Sequence, residues 1–321
     1  MAMPFSRGHH GGPGRAARRY GPFRRLRRAR RGTGPPFRHL RAPRADVAPL
    51  LTGRGPADMT WQRFRSDQPM TGKPFRSYVI CTVPRSGSTL LCGLLAATGV
   101  AGDPDSYFHA PSLEGWLTDH DLKRADFASD RDAVRAVFEA ALMRGKGDTT
   151  MFGLRMQRGS FDFFMEQLKL LVPGEMSDAE RIEAAFGPTL FIHLSRPDRL
   201  DQAISRLRAE QTGLWHRNAD GSELERLAPP QEPRYDAAAI RRHMAAQEAL
   251  DAAWEGWFRQ ERLNPLRITY DALSTGPQQV LAQVLSALGL DPAQARSVLP
   301  PTAKLADALS REWRCRFEGE T

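Results

Sequence analysis

Anion-binding side chains follow an apolar run near residue 80. Residues 78–83, YVICTV, have the composition of a buried strand and end at Pro84. From Ser88 onward, leucines at helical spacing predict a helix. The turn and the first residues of the helix supply Arg85, Ser86, Gly87, Ser88, Thr89 and Leu90. Because such a turn aims backbone N–H groups and the positive end of a helix at an anion, it is predicted to bind phosphate.

Each residue type in this turn has a role in such a site. Gly87 lets the backbone approach a phosphate closely. The hydroxyls of Ser86, Ser88 and Thr89 add donors, and Arg85 adds a fixed positive charge. An ordinary serine-capped turn is the alternative. The Pro-Arg pair directly after an apolar strand favours the anion site.

The turn differs from the loop of nucleotide triphosphatases. That loop has the pattern G-x-x-x-x-G-K-[ST], whereas no lysine follows Gly87 and the turn is shorter. A nucleotide phosphotransferase is an alternative function. It would have a lysine in the loop and an acidic magnesium ligand at a strand end, and the sequence shows neither at the expected place. No metal site is predicted, because the loop itself supplies positive charge.

A family resemblance extends this interpretation. Residues 84–91, PRSGSTLL, resemble the 5′-phosphosulfate loop of the sulfotransferases, and residues 97–104, ATGVAGDP, continue as in the bacterial trehalose 2-sulfotransferase family. With later matches the resemblance covers nearly all of residues 78–317. It implies a co-substrate, 3′-phosphoadenosine 5′-phosphosulfate, and an acceptor hydroxyl on a carbohydrate or glycolipid. It also implies that Arg85 and the residues through Leu90 bind the donor and that Arg85 takes part in catalysis.

Two further arginines match positions of the family. Arg196 follows the apolar strand 189–194, and Ser205 lies in the next helix, as in the family's 3′-phosphate site. An arginine fork and a hydroxyl suit a terminal phosphate. Arg155 stands where the family has a lysine, at a strand end where open parallel sheets bind ligands. The alternative for Arg155 is a solvated arginine at a strand end.

The segment 103–109, DPDSYFH, matches the family's acceptor loop but departs from it at one position. In the family a glutamate just before two aromatic residues is the catalytic base. The two aromatics here are Tyr107 and Phe108, and the residue before them is Ser106, which cannot act as a base. The resemblance implies acceptor contacts from Asp103, Tyr107, Phe108 and Arg155. Without it, the segment is simply a loop whose acidic residues form turns.

Three neighbours of Ser106 are candidates for the missing base. We rank Asp105 first, Asp103 second and His109 third. In an extended segment Asp105 points to the side opposite Ser106, unless the chain turns there. Asp103 precedes a proline and is biased toward an extended conformation. His109 lies past both aromatics.

The remaining elements alternate between strands and helices. Apolar runs predict strands at 78–83, 149–156, 189–194 and 266–270, and amphipathic patterns predict helices at 130–144, 161–171, 177–186, 235–262 and 278–288. Asp271 is predicted to cap the segment after the last strand. Residues 214–233 are predicted to be a long polar connection, which suits a lid or a binding surface. The order predicts an α/β fold with a mostly parallel central sheet flanked by helices, resembling the sulfotransferase and P-loop nucleotide-binding architecture.

Arginine is concentrated at the amino-terminal end. The chain of 321 residues has a net charge of +9, but residues 1–69 hold 16 arginines, no lysine and three aspartates. That segment is therefore at +13, and the rest is at −4. Its Gly- and Pro-rich composition without an apolar period predicts a disordered extension. The composition is also typical of GC-rich DNA translated upstream of a true start at Met70, so one sulfotransferase domain is expected over residues 70–321. Nucleic-acid binding by this basic segment is an alternative function.

Cysteine usage and hydropathy indicate the compartment. The three cysteines are Cys81, Cys92 and Cys315, and they form neither a disulfide framework nor a paired metal motif. No apolar run approaches the roughly 20 residues that span a membrane. A cytoplasmic enzyme is expected, with a nucleotide donor and a carbohydrate or glycolipid acceptor as partners. A homodimer is compatible with the sequence, and a nucleic-acid partner is not expected.

Overall fold

The structure, a computed structural model, describes residues 74–303 and 305–320. The extension predicted at residues 1–69 lies outside the described residues. The strands are β1 (Ser77–Thr82), β2 (Phe152–Gln157), β3 (Thr189–Ser195), β4 (Leu214–Asn218), β5 (Glu223–Arg226), β6 (Leu266–Thr269) and β7 (Thr302–Ala303).

The central sheet has the order β2-β1-β3-β6, and every neighbouring pair in it is parallel. Strand β1 lies in the middle and is buried along its whole length, as its unbroken apolar run predicts. The predicted parallel α/β architecture is confirmed. Because the strands are parallel, their carboxyl ends lie at one edge of the sheet, where ligands bind in such folds.

The helices follow the strands in the alternation that the sequence predicts. They are α1 (Ser88–Ala97), α2 (Leu113–Asp119), α3 (Asp130–Lys146), α4 (Arg158–Leu171), α5 (Asp178–Phe186), α6 (Arg199–Thr212), α7 (Ala237–Gln260), α8 (Tyr270–Thr275), α9 (Pro277–Ala287) and α10 (Ala308–Gly319). Local capping explains several of the starts. The Ser177 and Glu180 side chains form a capping box at α5, and the Ser129 side chain accepts from the backbone N–H of Asp132 at α3.

The two faces of β1 pack against two separate cores. Val79 and Cys81 face a core rich in aromatic rings, whereas Tyr78 and Ile80 face a core of aliphatic side chains from α1, α9 and the neighbouring strands. This alternation is the period of two that a strand imposes on its side chains. The indole Nε1 of Trp254 donates to the carbonyl of Thr82 over 2.9 Å. The carboxyl end of β1 is thereby held against α7.

A second, small sheet corrects one prediction. Residues 214–233 were expected to be a polar connection, but β4 and β5 within this stretch form an antiparallel hairpin, and β7 pairs with the other edge of β4. Most side chains of the two hairpin strands are charged or only half-buried. The strands therefore lack the apolar alternation by which strands are predicted.

Two local predictions also need correction. The second strand starts at Phe152 rather than at residue 149, because the Thr149 hydroxyl donates to the Lys146 carbonyl and closes a turn there. Helix α8 is capped by Thr269, whose hydroxyl accepts from the N–H of Ala272, and not by Asp271. None of the described helices has the length and apolar composition to cross a membrane.

Candidate active site

The loop between β1 and α1 takes the left-handed conformation at two residues. Arg85 has φ 66° and Gly87 has φ 87°. A Cβ atom at position 87 would lie 2.6 Å from Cδ2 of Tyr270, so both space and φ require glycine there. No side chain caps α1 at Gly87. The first N–H groups of α1 are therefore left for another acceptor, an arrangement that binds anions.

The small hydroxylated residues of the loop fall into two groups. Ser86 is fully buried, and its hydroxyl donates to the Val83 carbonyl over 2.6 Å and also contacts the Thr82 hydroxyl. Its hydrogen bond to Val83 closes the turn on the buried side of the loop. Ser88 is buried in the first turn of α1, whereas Thr89 is half-buried and its hydroxyl contacts side chains from outside the loop. Thr89 is thus the loop hydroxyl with contacts across the candidate site.

Arg85 reaches across the loop to the neighbouring elements. Its Nε donates to Oγ of Ser205 on α6 over 3.0 Å, and its Nη1 donates to the Trp215 carbonyl on β4 over 2.7 Å. Burial, reinforced by the charge of Arg196, lowers the pKa of Arg85 to about 10. The guanidinium stays protonated at neutral pH, so the site holds a charge whose hydration is largely lost. A bound anion would relieve that cost.

Arg196 lies beside Arg85 at the carboxyl end of β3. It is buried, its guanidinium stacks 4.3 Å from the ring centroid of Tyr270, and its Nη1 is 3.5 Å from the Arg85 carbonyl. Its Nη2 is 3.6 Å from Asp201, while its buried Nε has no hydrogen-bond partner among the described residues. The two arginines and Ser205, which the sequence predicted from separate segments, therefore converge at one place.

Arg155 links the start of α1 to the segment 103–109. Its Nη1 donates to the Thr89 hydroxyl over 2.9 Å, its Nε donates to the Ser106 hydroxyl over 2.7 Å, and its Nη2 donates to Asp105 over 2.8 Å. These three donors lie in the fixed plane of one guanidinium. Arg155 is therefore a mostly buried, hydrogen-bonded side chain near the carboxyl end of β2, and not the solvated arginine that was the alternative.

The segment 103–109 forms a turn at Asp105 and is not extended there. The carbonyl of Asp105 accepts from the backbone N–H groups of both Tyr107 and Arg155, each over 3.1 Å. As a result the side chains of Asp105 and Ser106 reach the same guanidinium instead of pointing to opposite sides. Asp105 also accepts from the Ser106 N–H over 2.8 Å.

The two aromatics of this segment lie in the core. Phe108 is 1% exposed, and its ring packs with its centroid 4.6 Å from that of Phe138 and 5.0 Å from that of Trp116. Tyr107 is buried, and its hydroxyl donates to the Asp103 carbonyl over 2.5 Å. Burial raises the pKa of the Tyr107 phenol well above its usual value. Both rings are thus buried against other protein groups and are not available to contact an acceptor. We assign the acceptor contacts to other residues.

Asp103 and His109 flank the turn at its two ends, and both are exposed. The backbone N–H of Asp103 donates to the Gly145 carbonyl over 2.9 Å, and the carbonyl of His109 accepts from the Ser160 hydroxyl over 2.5 Å. Of the three base candidates, Asp105 accepts a hydrogen bond from Nη2 of Arg155 over 2.8 Å.

The hairpin contributes His216, which was not predicted as a site residue. Its Nε2 is 3.0 Å from the Thr89 hydroxyl and 3.5 Å from a carboxylate oxygen of Glu225 on β5. Burial and the positive charges of Arg85 and Arg155 lower the pKa of His216 to about 3. The imidazole is therefore neutral at physiological pH.

The family model described as Stf0 sulphotransferase matches residues 77–320 of this chain.

The chain belongs to the Stf0 sulphotransferase family.

Two curated relatives carry the name trehalose 2-sulfotransferase. The protein from Mycobacterium tuberculosis is 28% identical over 263 residues, which cover 76% of this chain and 95% of the relative. The protein from Mycolicibacterium smegmatis is 30% identical over 261 residues, which cover 75% of this chain and 94% of the relative. A crystal structure of a sulfotransferase from Alicyclobacillus acidocaldarius aligns over 78% of this chain and 93% of its own, at 15% identity and a TM-score of 0.34. Family membership rests on the sequence matches, and the fold assignment rests on the strand order.

Another polar cluster in this Stf0 sulphotransferase surrounds His193 on β3. His193 is buried within β3, and its Nε2 is 3.0 Å from Asp251 while its Nδ1 is 3.1 Å from Glu255. Arg267 also contacts this histidine and Glu255. His193 is thus a hydrogen-bonded histidine of the core. Among the residues that the structure describes, no group of three His, Cys, Asp or Glu side chains is arranged to hold a metal ion.

Proposed function

We propose that this Stf0 sulphotransferase moves a sulfuryl group from 3′-phosphoadenosine 5′-phosphosulfate to a hydroxyl of a carbohydrate or glycolipid. The observation that supports this most is the convergence of Arg85, Arg196 and Ser205, with an Arg85–Ser205 hydrogen bond of 3.0 Å, beside the uncapped start of α1. Two guanidinium groups at a helix N-terminus form a site for more than one phosphate.

The two phosphate positions have separate ligands in this proposal. The N–H groups of residues 86–90 and Arg85 bind the 5′-phosphosulfate, as anions bind at a helix N-terminus. Arg196 and Ser205 bind the 3′-phosphate, which ATP lacks. Arg196 suits this role because the ring of Tyr270 fixes its plane and its Nε has no other partner among the described residues. The donor is thereby distinguished from other adenine nucleotides.

The acceptor lies on the side of Arg155 in this proposal. Both curated relatives are named for a trehalose reaction, which supports a carbohydrate acceptor. Trehalose itself is not assigned, because Ser106 replaces the glutamate expected just before the two aromatics. Asp105 and Arg155, held together over 2.8 Å, offer an acceptor and donors to sugar hydroxyls. We assign acceptor binding to these two side chains together with Asp103.

The reaction is an in-line displacement at sulfur. The acceptor oxygen attacks, and the bond from sulfur to the phosphate oxygen breaks, which leaves adenosine 3′,5′-bisphosphate. By analogy with phosphoryl transfer, positioning and stabilisation of the leaving charge dominate catalysis. Arg85 is the residue we assign to that charge. The free cysteines Cys81, Cys92 and Cys315 support a cytoplasmic setting for the enzyme.

The test is transfer of label from ³⁵S-labelled donor to a panel of sugars, glycolipids and lipopolysaccharides. The protein is expected to label at least one hydroxylated acceptor, and Arg196→Ala is expected to lose most of that transfer at limiting donor. Phosphate transfer from ATP with magnesium, in place of sulfuryl transfer, would support the phosphotransferase alternative instead.

The basic segment offers a separate test. We propose that residues 70–321 form the sulfotransferase domain and that residues 1–69 contribute nothing to nucleotide binding. A protein beginning at Met70 should keep the melting temperature and the affinity for adenosine 3′,5′-bisphosphate of the full chain. Salt-sensitive binding to nucleic acid, if the full chain shows it, should disappear in the shorter protein. Loss of nucleotide affinity in that protein would contradict this division.

A further inference from the structure

The hairpin of β4 and β5 contacts the phosphate loop through two consecutive residues. The carbonyl of Trp215 accepts from Nη1 of Arg85, and Nε2 of His216 lies 3.0 Å from the Thr89 hydroxyl. The first contact is on the proposed donor side of the loop. The second is on the side of Arg155, whose Nη1 bonds to the same Thr89 hydroxyl.

His216 therefore lies where the donor and acceptor sides meet. The hydroxyl of Thr89 is shared by Arg155 and His216. Asp105, a proposed acceptor ligand, accepts from Nη2 of the same Arg155 guanidinium, and Ser106 accepts from its Nε. A sulfuryl group bound at the loop beside Thr89 would have His216 and Arg155 as neighbouring side chains.

We propose that His216 is the catalytic base, which takes the proton of the acceptor hydroxyl during sulfuryl transfer. This inference rests on the proposed function and adds a residue to it. In the step, the acceptor O–H bond breaks and its proton moves to Nε2 of His216. The acceptor oxygen forms the new bond to sulfur, and the bond from sulfur to the leaving phosphate oxygen breaks. The imidazolium then returns its proton to solvent.

The state of His216 fits this role. A base must begin the step unprotonated, and burial with Arg85 and Arg155 nearby keeps the imidazole neutral. A bound phosphosulfate places negative charge beside both arginines and so raises the pKa of His216 toward the range of an effective base. Glu225, 3.5 Å from Nε2, stabilises the imidazolium once it forms.

His216 is better placed than Asp105, the first base candidate of the sequence. The Asp105 carboxylate is already bonded to Arg155 and to the N–H of Ser106. A proton arriving on that carboxylate would weaken both contacts and leave the positive charge of the Arg155 guanidinium without its neighbouring negative charge. Asp105 holds Arg155 and the acceptor instead.

The test compares His216→Gln with Asp105→Asn, and it uses His243→Gln as the matched control. His243 is also partly buried and faces a carboxylate, with Nε2 3.3 Å from Glu210. Among the described residues, no hydrogen bond or ion pair joins it to the loop between β1 and α1. For His216→Gln we expect turnover at saturating donor to fall by about 10²–10⁴-fold. Affinity for adenosine 3′,5′-bisphosphate should change by less than about threefold, since glutamine can still bond to Thr89. Asp105→Asn should raise the KM for the acceptor more than it lowers turnover.

Chemical rescue separates basicity from folding. Turnover of His216→Ala should rise with added imidazole and saturate, whereas that of Asp105→Ala should not respond. Normal turnover in His216→Gln, an equal loss of nucleotide affinity and turnover, or an absence of rescue in a His216→Ala protein that still binds nucleotide would overturn the assignment.

The wild-type protein supplies the reference that keeps the two proposals apart. Binding of adenosine 3′,5′-bisphosphate and transfer of labelled sulfur by the wild type establish the proposed function whatever the variants do. If the wild type does neither, the proposed function fails first. If the wild type does both and His216→Gln is as fast, only the assignment of His216 fails.

Discussion

The Nε atom of Arg85 donates a hydrogen bond to Oγ of Ser205 over 3.0 Å. Arg85 follows β1, and Ser205 lies on α6, which follows β3; β1 and β3 are adjacent parallel strands. The two halves of the proposed donor site are therefore fixed by neighbouring strands of one sheet. A ligand that bridges them would contact the short loop after β1 and helix α6, which are both connected directly to this sheet.

The assignment of Arg196 to the 3′-phosphate makes a selective prediction. Arg196→Ala should weaken binding of adenosine 3′,5′-bisphosphate by about 1.5–3 kcal/mol, the range for hydrogen bonds to charged groups. Binding of adenosine 5′-phosphate, which lacks the 3′ group, should barely change. Calorimetry with both nucleotides measures this, with the exposed Arg131→Ala as control. Equal losses for the two nucleotides would place Arg196 elsewhere in the site.

The contact between Gly87 and Tyr270 can be isolated with a second glycine. Gly87→Ala and Gly99→Ala both put a Cβ on a left-handed residue, which costs roughly 1–2 kcal/mol of stability in each. At Gly99 no atom lies within 4 Å of that Cβ, whereas at Gly87 the ring of Tyr270 lies 2.6 Å away. Only Gly87→Ala should also displace Tyr270 and Arg196 and lose nucleotide affinity. Thermal melts and calorimetry on both variants check this, and matching affinities in the two proteins would count against a fixed Tyr270.

Sequence patterns predicted the parts of the structure that are determined by residues close together in the sequence. The apolar runs of β1 and β3 are buried on both faces, and their lengths were predicted to within a residue or two. Arg196 and Ser205 were named from the resemblance to the family's 3′-phosphate site, and both contact Arg85 in the structure. The loop at Gly87 was predicted because its glycine and its following helix are adjacent in sequence.

The parts that were missed depend on distant contacts. Asp105 and Ser106 point the same way because the Arg155 backbone N–H bonds to the Asp105 carbonyl, a pairing between residues 50 positions apart. His216 is a site residue only because the hairpin packs over Thr89, and its strands carry no apolar period. The one signal available was a histidine beside a tryptophan in a long polar connection.

Arg155 is predicted to act through its planar fork as well as its charge. Arg155→Ala should lower turnover by about 10²-fold, the effect of losing one preorganised donor, with a smaller loss of nucleotide affinity. Arg155→Lys keeps the charge but cannot bond to Thr89, Ser106 and Asp105 together, so its turnover should fall between those of the wild type and the alanine variant. Steady-state kinetics at saturating donor measure this. A lysine variant as slow as alanine would mean that charge alone contributes little.

Phe108 is predicted to act in folding and not in acceptor binding. Phe108→Ala removes a ring packed between Phe138 and Phe164 and should lower the free energy of unfolding by about 3–5 kcal/mol. The exposed Met143→Ala should leave it nearly unchanged. Denaturant unfolding measures both, and the KM for the acceptor should be normal in the folded fraction of Phe108→Ala. A raised KM with normal stability would return Phe108 to the acceptor site.

The central claim is that the loop after β1 and the pair Arg196–Ser205 together bind a 3′-phosphorylated adenosine nucleotide. The most direct measurement is calorimetry of the wild-type protein with adenosine 3′,5′-bisphosphate, adenosine 5′-phosphate and ATP with magnesium. We predict that adenosine 3′,5′-bisphosphate binds at least about tenfold more tightly than adenosine 5′-phosphate, as one charged hydrogen bond of ~1.5 kcal/mol requires. Tighter binding of ATP with magnesium, or equal affinities for the bisphosphate and the monophosphate, would contradict the claim.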